Sequence, residues 1–385
     1  MYRLLIATFI LLTALTACSN NDVQHQFVVT TPHDRLFTRL DTLRSHGTIF
    51  GQEFDPLNIN IALRKKGKKG KTIVSTDYPA MLQFELGGIE LGQDENIDGI
   101  PFSRIQQEVI DHHKLGGIVA FTWHPHNPCT GGDAWDVSNP STVKNILPGG
   151  PQHEVFMQWL QRLVVFLRKM QTKERRTIPY VMQPWEGYND NMVWWGEDCC
   201  TEQEFVALWT LMQDYLKNRL HTNPIWCFSS DVRGNWSEHS FASRYPGNDR
   251  VDILACHIEQ RTHSPRVSEW LPEDIAYLQA FASLNRKMLA LTDNRPLEQD
   301  SSYHQTTELQ RQIDQFPICF VVTKGTHPDA LDEDVINKFI KDIPGDAATG
   351  STVPASVRRS LLFLEEALPR FNDTAGRDSW EMFML

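Results

Sequence analysis

Apolar runs of strand length recur along the chain, near residues 48–51, 81–86, 117–123, 178–185, 225–229, 251–257, 287–292 and 318–323. Between them lie segments whose apolar positions return with the helical period, at 154–170, 202–220, 272–284 and 306–315. Strands alternating with helices in this way predict a (β/α)8 TIM barrel. A doubly wound open sheet alternates similarly. No Gly-x-Gly-x-x-Gly or Walker-type loop follows any of the strands, which weakens the nucleotide-binding folds and leaves no cofactor motif.

The first apolar run is of another kind. Arg3 precedes Leu4-Leu5-Ile6-Ala7-Thr8-Phe9-Ile10-Leu11-Leu12, a stretch too short to span a bilayer permanently and of the form of an export signal. It ends in Leu15-Thr16-Ala17-Cys18, which resembles the lipobox of bacterial lipoproteins. That resemblance implies a signal peptide over 1–17, an acylated Cys18, a polar tether over 18–34 and a single barrel over 35–385, anchored in the cell envelope. A plain secretory signal with an incidental cysteine is the alternative. Further on, 64–71 carries six positive charges and reads as a solvated loop, 342–354 as a loop, and 355–368 as a closing helix.

Composition narrows the function classes. Thirty-seven Lys and Arg against 48 Asp and Glu give a net charge of −11, so a grip on nucleic acid, which needs a basic face, is disfavoured. Six cysteines remain beyond Cys18, and none forms a Cys-x-x-Cys pair, so a structural zinc site has no support. Eleven tryptophans suggest aromatic platforms as well as core.

In a barrel, functional groups collect at the C-terminal ends of the strands. Here those ends are polar and aromatic. The third reads Trp123-His124-Pro125-His126-Asn127-Pro128, followed by Gly131-Gly132-Asp133-Ala134-Trp135. The fourth reads Gln183-Pro184-Trp185-Glu186-Gly187-Tyr188-Asn189 and runs on to Trp194-Trp195-Gly196. The sixth ends at His257-Ile258-Glu259 and the seventh at Thr292-Asp293. Aromatic faces beside hydrogen-bonding groups suit sugar rings, which have apolar C–H faces and hydroxyl edges.

Several of these segments, in order and spacing, resemble glycoside hydrolase family 26, the β-mannanase family. They are Trp123-His124 with Asn127-Pro128, the Gly-Gly-x-Ala-Trp ending at Trp135, Ile146-Leu147-Pro148-Gly149-Gly150 and Trp194-Trp195-Gly196. Thr201-x-x-Glu204-Phe205-x-Ala207-Leu208-Trp209 and Arg244-Tyr245-Pro246-Gly247-Asn248-Asp249 extend the likeness, which covers roughly residues 35 to 325. It implies a (β/α)8 barrel and retaining hydrolysis of β-1,4-mannan or related β-glycans by two carboxylates about 5–5.5 Å apart.

Registered on Trp194-Trp195-Gly196, the family's acid/base Glu falls on Gly187, with Glu186 where its His stood and Gln183 where its Arg stood. The nucleophile Glu falls on Asp293. The sixth-strand Asp and Tyr fall on His257 and Glu259, a sugar-stacking Trp on Met192, the eighth-strand Trp on Thr323, and a second-strand Asp on Glu85. The shell of the site is kept and its centre rewritten. Loss of a general acid typically costs about 10²–10⁴-fold in rate. The expected function is therefore capture of a mannan-type or related β-glycan by a catalytically degenerate barrel, with Trp123, His124, Trp135, Gln183, Trp194, Trp195, His257 and Glu259 as binding residues. The alternative is a working hydrolase with Glu186 as acid and Asp293 as nucleophile. A structural envelope protein is a third class. Carboxylates with one or two histidines can also hold a divalent metal, but no spacing motif supports one here.

Overall fold

The computed structural model describes residues 31–55, 64–66, 72–74, 79–232, 238–257, 267–292, 315–323 and 339–340. The chain divides into Met1–Thr31 and Pro32–Leu385, and the barrel lies in the second unit. Cys18, Glu259, Asp293, the stretch 306–314 of one expected helix and the expected closing helix fall outside the described residues.

Helix α1 (Pro32–Arg44) leads into β1 (Thr48–Glu53). An antiparallel hairpin, β2 (Arg64–Lys66) and β3 (Thr72–Val74), follows, so part of the basic stretch read as loop is paired backbone. Then come β4 (Met81–Glu85), α2 (Phe102–Lys114), β5 (Ile118–Trp123), α3 (Thr142–Ile146), α4 (His153–Leu167) and β6 (Tyr180–Pro184). The chain continues through α5 (Glu202–Lys217), β7 (Ile225–Asp231), α6 (Glu238–Arg244), β8 (Ile253–His257), α7 (Val267–Asn285), β9 (Met288–Thr292) and β10 (Ile318–Thr323). Strands β1 and β4 to β10 pair in parallel in chain order, and β10 returns to β1 from Ile49 opposite Phe320 to Gln52 opposite Thr323. The eight strands close into a (β/α)8 barrel. A two-residue strand, β11 (Phe339–Ile340), also pairs with β1 and was not legible in the sequence.

Alternation along each strand sorts the core into two shells. Ile118 and Ala120 of β5 pack inward with Met81, Val181, Ile225, Ile253, Met288 and Phe320, whereas Val119, Phe121 and Trp123 of the same strand pack outward with the helices. Leu36, Leu40 and Leu43 of α1 belong to the inner shell. Because α1 touches β1, β10 and β7, it stoppers the barrel floor. Climbing the interior, apolar residues give way to small ones (Ala120, Cys227, Ala255, Ala290), then to Gln83, Thr122, Gln183, Ser229 and Thr292, all buried. At the top are titratable groups. The cysteines of this unit, Cys129, Cys199, Cys200, Cys227, Cys256 and Cys319, are free thiols. Among the described residues no helix is long and apolar enough to cross a membrane.

Candidate active site

Strand register assembles the site. Thr122 lies opposite Glu85 on one side and Gln183 on the other, and His257 lies between Asp231 and Thr292. These rows lie side by side at the C-terminal mouth, the face that carries chemistry in such barrels.

Glu85 is 3 % exposed and receives four hydrogen bonds. The Gly87 and His124 amides donate to Oε1 at 2.6 and 2.9 Å, and the Thr122 hydroxyl and His124 Nδ1 meet Oε2 at 2.7 Å each. Burial alone would raise this carboxyl, but the charge of His124 and the donors from His124 and Thr122 outweigh it and pull Glu85 down to about 2. Glu85 is thus an ionised acceptor, and it fixes the proton of His124 on Nδ1. A second carboxylate–imidazole pair stands across the mouth, with His257 Nδ1 2.6 Å from Asp231 Oδ1. Asp231 is held in turn by Asn189, whose Oδ1 accepts from the Asp231 amide at 2.9 Å and whose Nδ2 donates to the Asp231 carbonyl at 3.0 Å.

Glu186 sits between the two pairs. Its Oε2 is 3.4 Å from His124 Nε2 and 3.9 Å from His257 Nε2. Gln183 Nε2 donates to Glu186 Oε1 and to the Thr292 hydroxyl, the latter at 3.1 Å. The backbone explains how a residue just beyond β6 turns inward. Trp185 adopts φ 61° and Gly187 φ 71°, both in the left-handed region that a bulky residue rarely enters. The kink sends the Trp185 ring outward, among Trp123, Phe156, Trp194 and Trp195, and Glu186 toward the barrel axis. A Cβ on Gly187 would lie 3.6 Å from Asp231 Oδ2. The volume that a side chain at 187 would enter is therefore bounded by Asp231.

The expected binding residues separate into two groups. His124, Gln183, Glu186 and His257 come together as described. Trp135, 36 % exposed, stacks on His124 with ring centroids 5.9 Å apart and planes 13° from parallel, and Met192 is also exposed at the rim. By contrast Trp123, Trp194 and Trp195 have no exposed surface, which corrects their reading as ligand platforms. Trp123 ends β5 on its outward face and donates Nε1 to Glu90 at 3.1 Å. Trp194 donates to the Pro125 carbonyl at 2.9 Å and Trp195 to the Glu186 carbonyl at 2.7 Å. They brace the loops that hold His124 and Glu186. Asp231 was missed because the apolar run was read as ending at residue 229, whereas β7 continues through the polar Ser229-Ser230-Asp231. A carboxylate two residues beyond an apolar strand was the available signal. Among the described residues no group of three or more His, Cys, Asp or Glu is arranged to hold a metal ion.

The profile of glycosyl hydrolase family 26 matches residues 29–282. The chain belongs to that family. A family 26 β-mannanase structure from Bacteroides ovatus is similar at 29% identity and a TM-score of 0.67, covering 78% of this chain and 87% of the other. The catalytic domain of a Bacillus sp. JAMB-750 endo-β-1,4-mannanase shares the fold at 23% identity and a TM-score of 0.62, over 75% and 80% of the two chains. A mannan endo-1,4-β-mannosidase of Bifidobacterium adolescentis is 25% identical over 293 residues, or 72% of this chain. This chain spans 28% of the length of that relative. The family 26 barrel and its β-mannanase-like frame are thus shared, while the carboxylates at its mouth are arranged as described above.

Proposed function

We propose that this chain captures a mannan-type or related β-glycan at the barrel mouth without hydrolysing it by the family route, and that it does so from a lipid anchor at Cys18. One observation carries the reading. The position registered on the family's acid/base residue is Gly187, which has no proton to give and whose left-handed backbone faces Asp231. The half-open Trp135 ring, stacked on His124, supplies the apolar face that a sugar ring requires. The names of the mannanase relatives support mannan as the polymer class, and Leu15-Thr16-Ala17-Cys18 supports the anchor.

The test is incubation with a panel of β-mannans and β-glucans, assayed for reducing ends beside an Asp293→Ala control, together with retardation on mannan affinity gels. No release with clear retardation supports capture. Trp135→Ala should then weaken binding about 2- to 10-fold, the worth of one aromatic contact of about 0.5–1.5 kcal/mol. Release that vanishes in the control supports a second reading, a rewired hydrolase with Glu186 as acid and Asp293 as nucleophile. What favours that reading is the placement of Glu186 between two imidazoles. The anchor is tested by acyl-chain labelling, which Cys18→Ser should abolish.

A further inference from the structure

Two residues beyond His124 the loop after β5 holds a second imidazole on a second buried carboxylate. Glu90 lies in a short 3-10 turn (Ile89–Leu91) past the end of β4 and has no exposed surface. It accepts from the Gly88 amide at 3.0 Å and from Trp123 Nε1 at 3.1 Å. The amide and Nδ1 of His126 both meet its Oε1 at 2.9 Å. His124 grips Glu85 in the same manner, through its own amide and Nδ1. Behind the turn, Arg162 donates to the Glu90 carbonyl. A carboxylate placed so holds a proton on His126 Nδ1 and fixes the ring, which leaves Nε2 as its outward polar atom. The His126 side chain is 18 % exposed, enough for a ligand to reach. Backbone amides alone can satisfy a buried carboxylate. A ring held rigid with one nitrogen turned outward is in addition pre-organised for a partner, because binding then freezes no rotamer.

Asp133 links this imidazole to the exposed tryptophan. Its Oδ1 accepts from the Trp135 amide at 3.0 Å, and its charge is felt at His126. The hydrogen bond to Glu90, opposed by partial burial and aided by the charges of Glu90 and Asp133, raises His126 above its ordinary 6.5. Protonated, Nε2 donates; neutral, it accepts. A sugar hydroxyl does both and suits either form. Trp135 in turn stacks on His124. Two residues of chain reach at most about 7 Å, so His126 follows His124 at a spacing comparable with neighbouring rings of a linear glycan.

We propose that His126 and Asp133 form an outer sugar subsite on the rim, which takes the hydroxyls of the glycan unit next to the one on Trp135. The inference deepens the capture reading above and rests on it. The ligand it fits is a neutral hexose chain of at least two units, with one hydroxyl on His126 Nε2 and another donating to the Asp133 carboxylate. A uronate fits poorly, because Asp133 and Glu90 set two carboxylates beside the one imidazole.

Calorimetry with mannan oligosaccharides of increasing length tests the subsite in two variants that spare the loop. His126→Asn keeps a donor near the place of Nδ1 and deletes Nε2. Asp133→Ser keeps a short acceptor for the Trp135 amide and removes the carboxylate. In the unsubstituted protein, affinity should rise about 2- to 10-fold when the ligand grows past a single unit, the worth of one or two hydrogen bonds. Loss of that step in both variants, at an unchanged melting temperature, supports the subsite. So does a His126 Nε2 resonance, in ¹⁵N-labelled protein, that moves with the longer ligands only. A step retained in both variants, or an Nε2 resonance unmoved at saturation, overturns the subsite and leaves capture standing. A step lost only in His126→Asn, together with a lowered melting temperature, assigns His126 to the scaffold and also overturns it. Tighter binding of a uronate-bearing oligosaccharide than of its neutral counterpart overturns the ligand class. No binding of any length by the unsubstituted protein overturns the capture reading, and the subsite falls with it.

Discussion

Glu85 does the work of orienting His124. Four donors converge on it, and Glu85→Gln removes a charge-assisted acceptor from a buried position, at an expected cost of about 1.5–3 kcal/mol. Its folded value, about 2 against an ordinary 4.5, also sets a pH dependence. The stabilisation is fully present above 4.5 and is lost as the pH falls from there toward 2. Urea melts on either side of pH 4.5 should show a smaller acid-induced loss in Glu85→Gln than in the unsubstituted protein. Gly187 makes the opposite point, since its chemistry is set by backbone. Gly187→Glu restores the family's acid residue in name only. At φ 71° the new side chain costs about 1–2 kcal/mol and points toward Asp231. A lowered melting temperature and no gain in reducing-end release are expected.

The sequence announced its elements clearly wherever periodicity and caps agreed. The pattern over 202–220 corresponds to α5, which begins after Thr201, whose hydroxyl accepts from the Glu204 amide at 3.2 Å while Glu204 accepts from the Thr201 amide at 2.9 Å. This reciprocal cap predicts that Thr201→Ala costs about 1 kcal/mol, measurable as a shift in the urea midpoint with an unchanged slope. Strand ends were harder to read. An apolar run stops where a strand turns polar, yet in a barrel the polar end is the functional end. The extension of β7 to Asp231 was therefore hidden. Parity decided the tryptophans in the same way. Trp123 and His124 are neighbours in the chain, but successive side chains point to opposite faces, so one joins the outer core and the other the mouth.

For the whole molecule, the floor matters as much as the mouth. Leu40 of α1 is fully buried in the inner shell, so Leu40→Ala should cost about 2–5 kcal/mol, read as a cooperative loss in thermal unfolding. The same helix is tied by His33, whose Nε2 is 3.5 Å from Asp252 Oδ2. The hydrogen bond to Asp252, opposed by partial burial, raises His33 above 6.5. Its contribution is complete below 6.5 and fades as the pH rises through the raised value. His33→Gln should accordingly flatten the stability profile on the alkaline side of neutrality.

The sequence by itself determined an alternating strand–helix fold, because eight apolar strands between amphipathic helices bury their faces either as a barrel or as an open doubly wound sheet, and the family likeness selected the barrel. The segment likeness from Trp123 to Asp249 likewise carried the family. The tertiary structure alone decided which residues meet. Glu85, His124, Glu186, Asp231 and His257 lie at or just beyond the ends of five strands spread over more than a hundred residues, and only barrel closure and register bring them together. The left-handed turn at Trp185 and Gly187 then chose Glu186, and not its neighbour, as the carboxylate that faces the axis. Spacing along a chain records period and order, whereas convergence across a barrel depends on register and backbone hand, which no local pattern encodes.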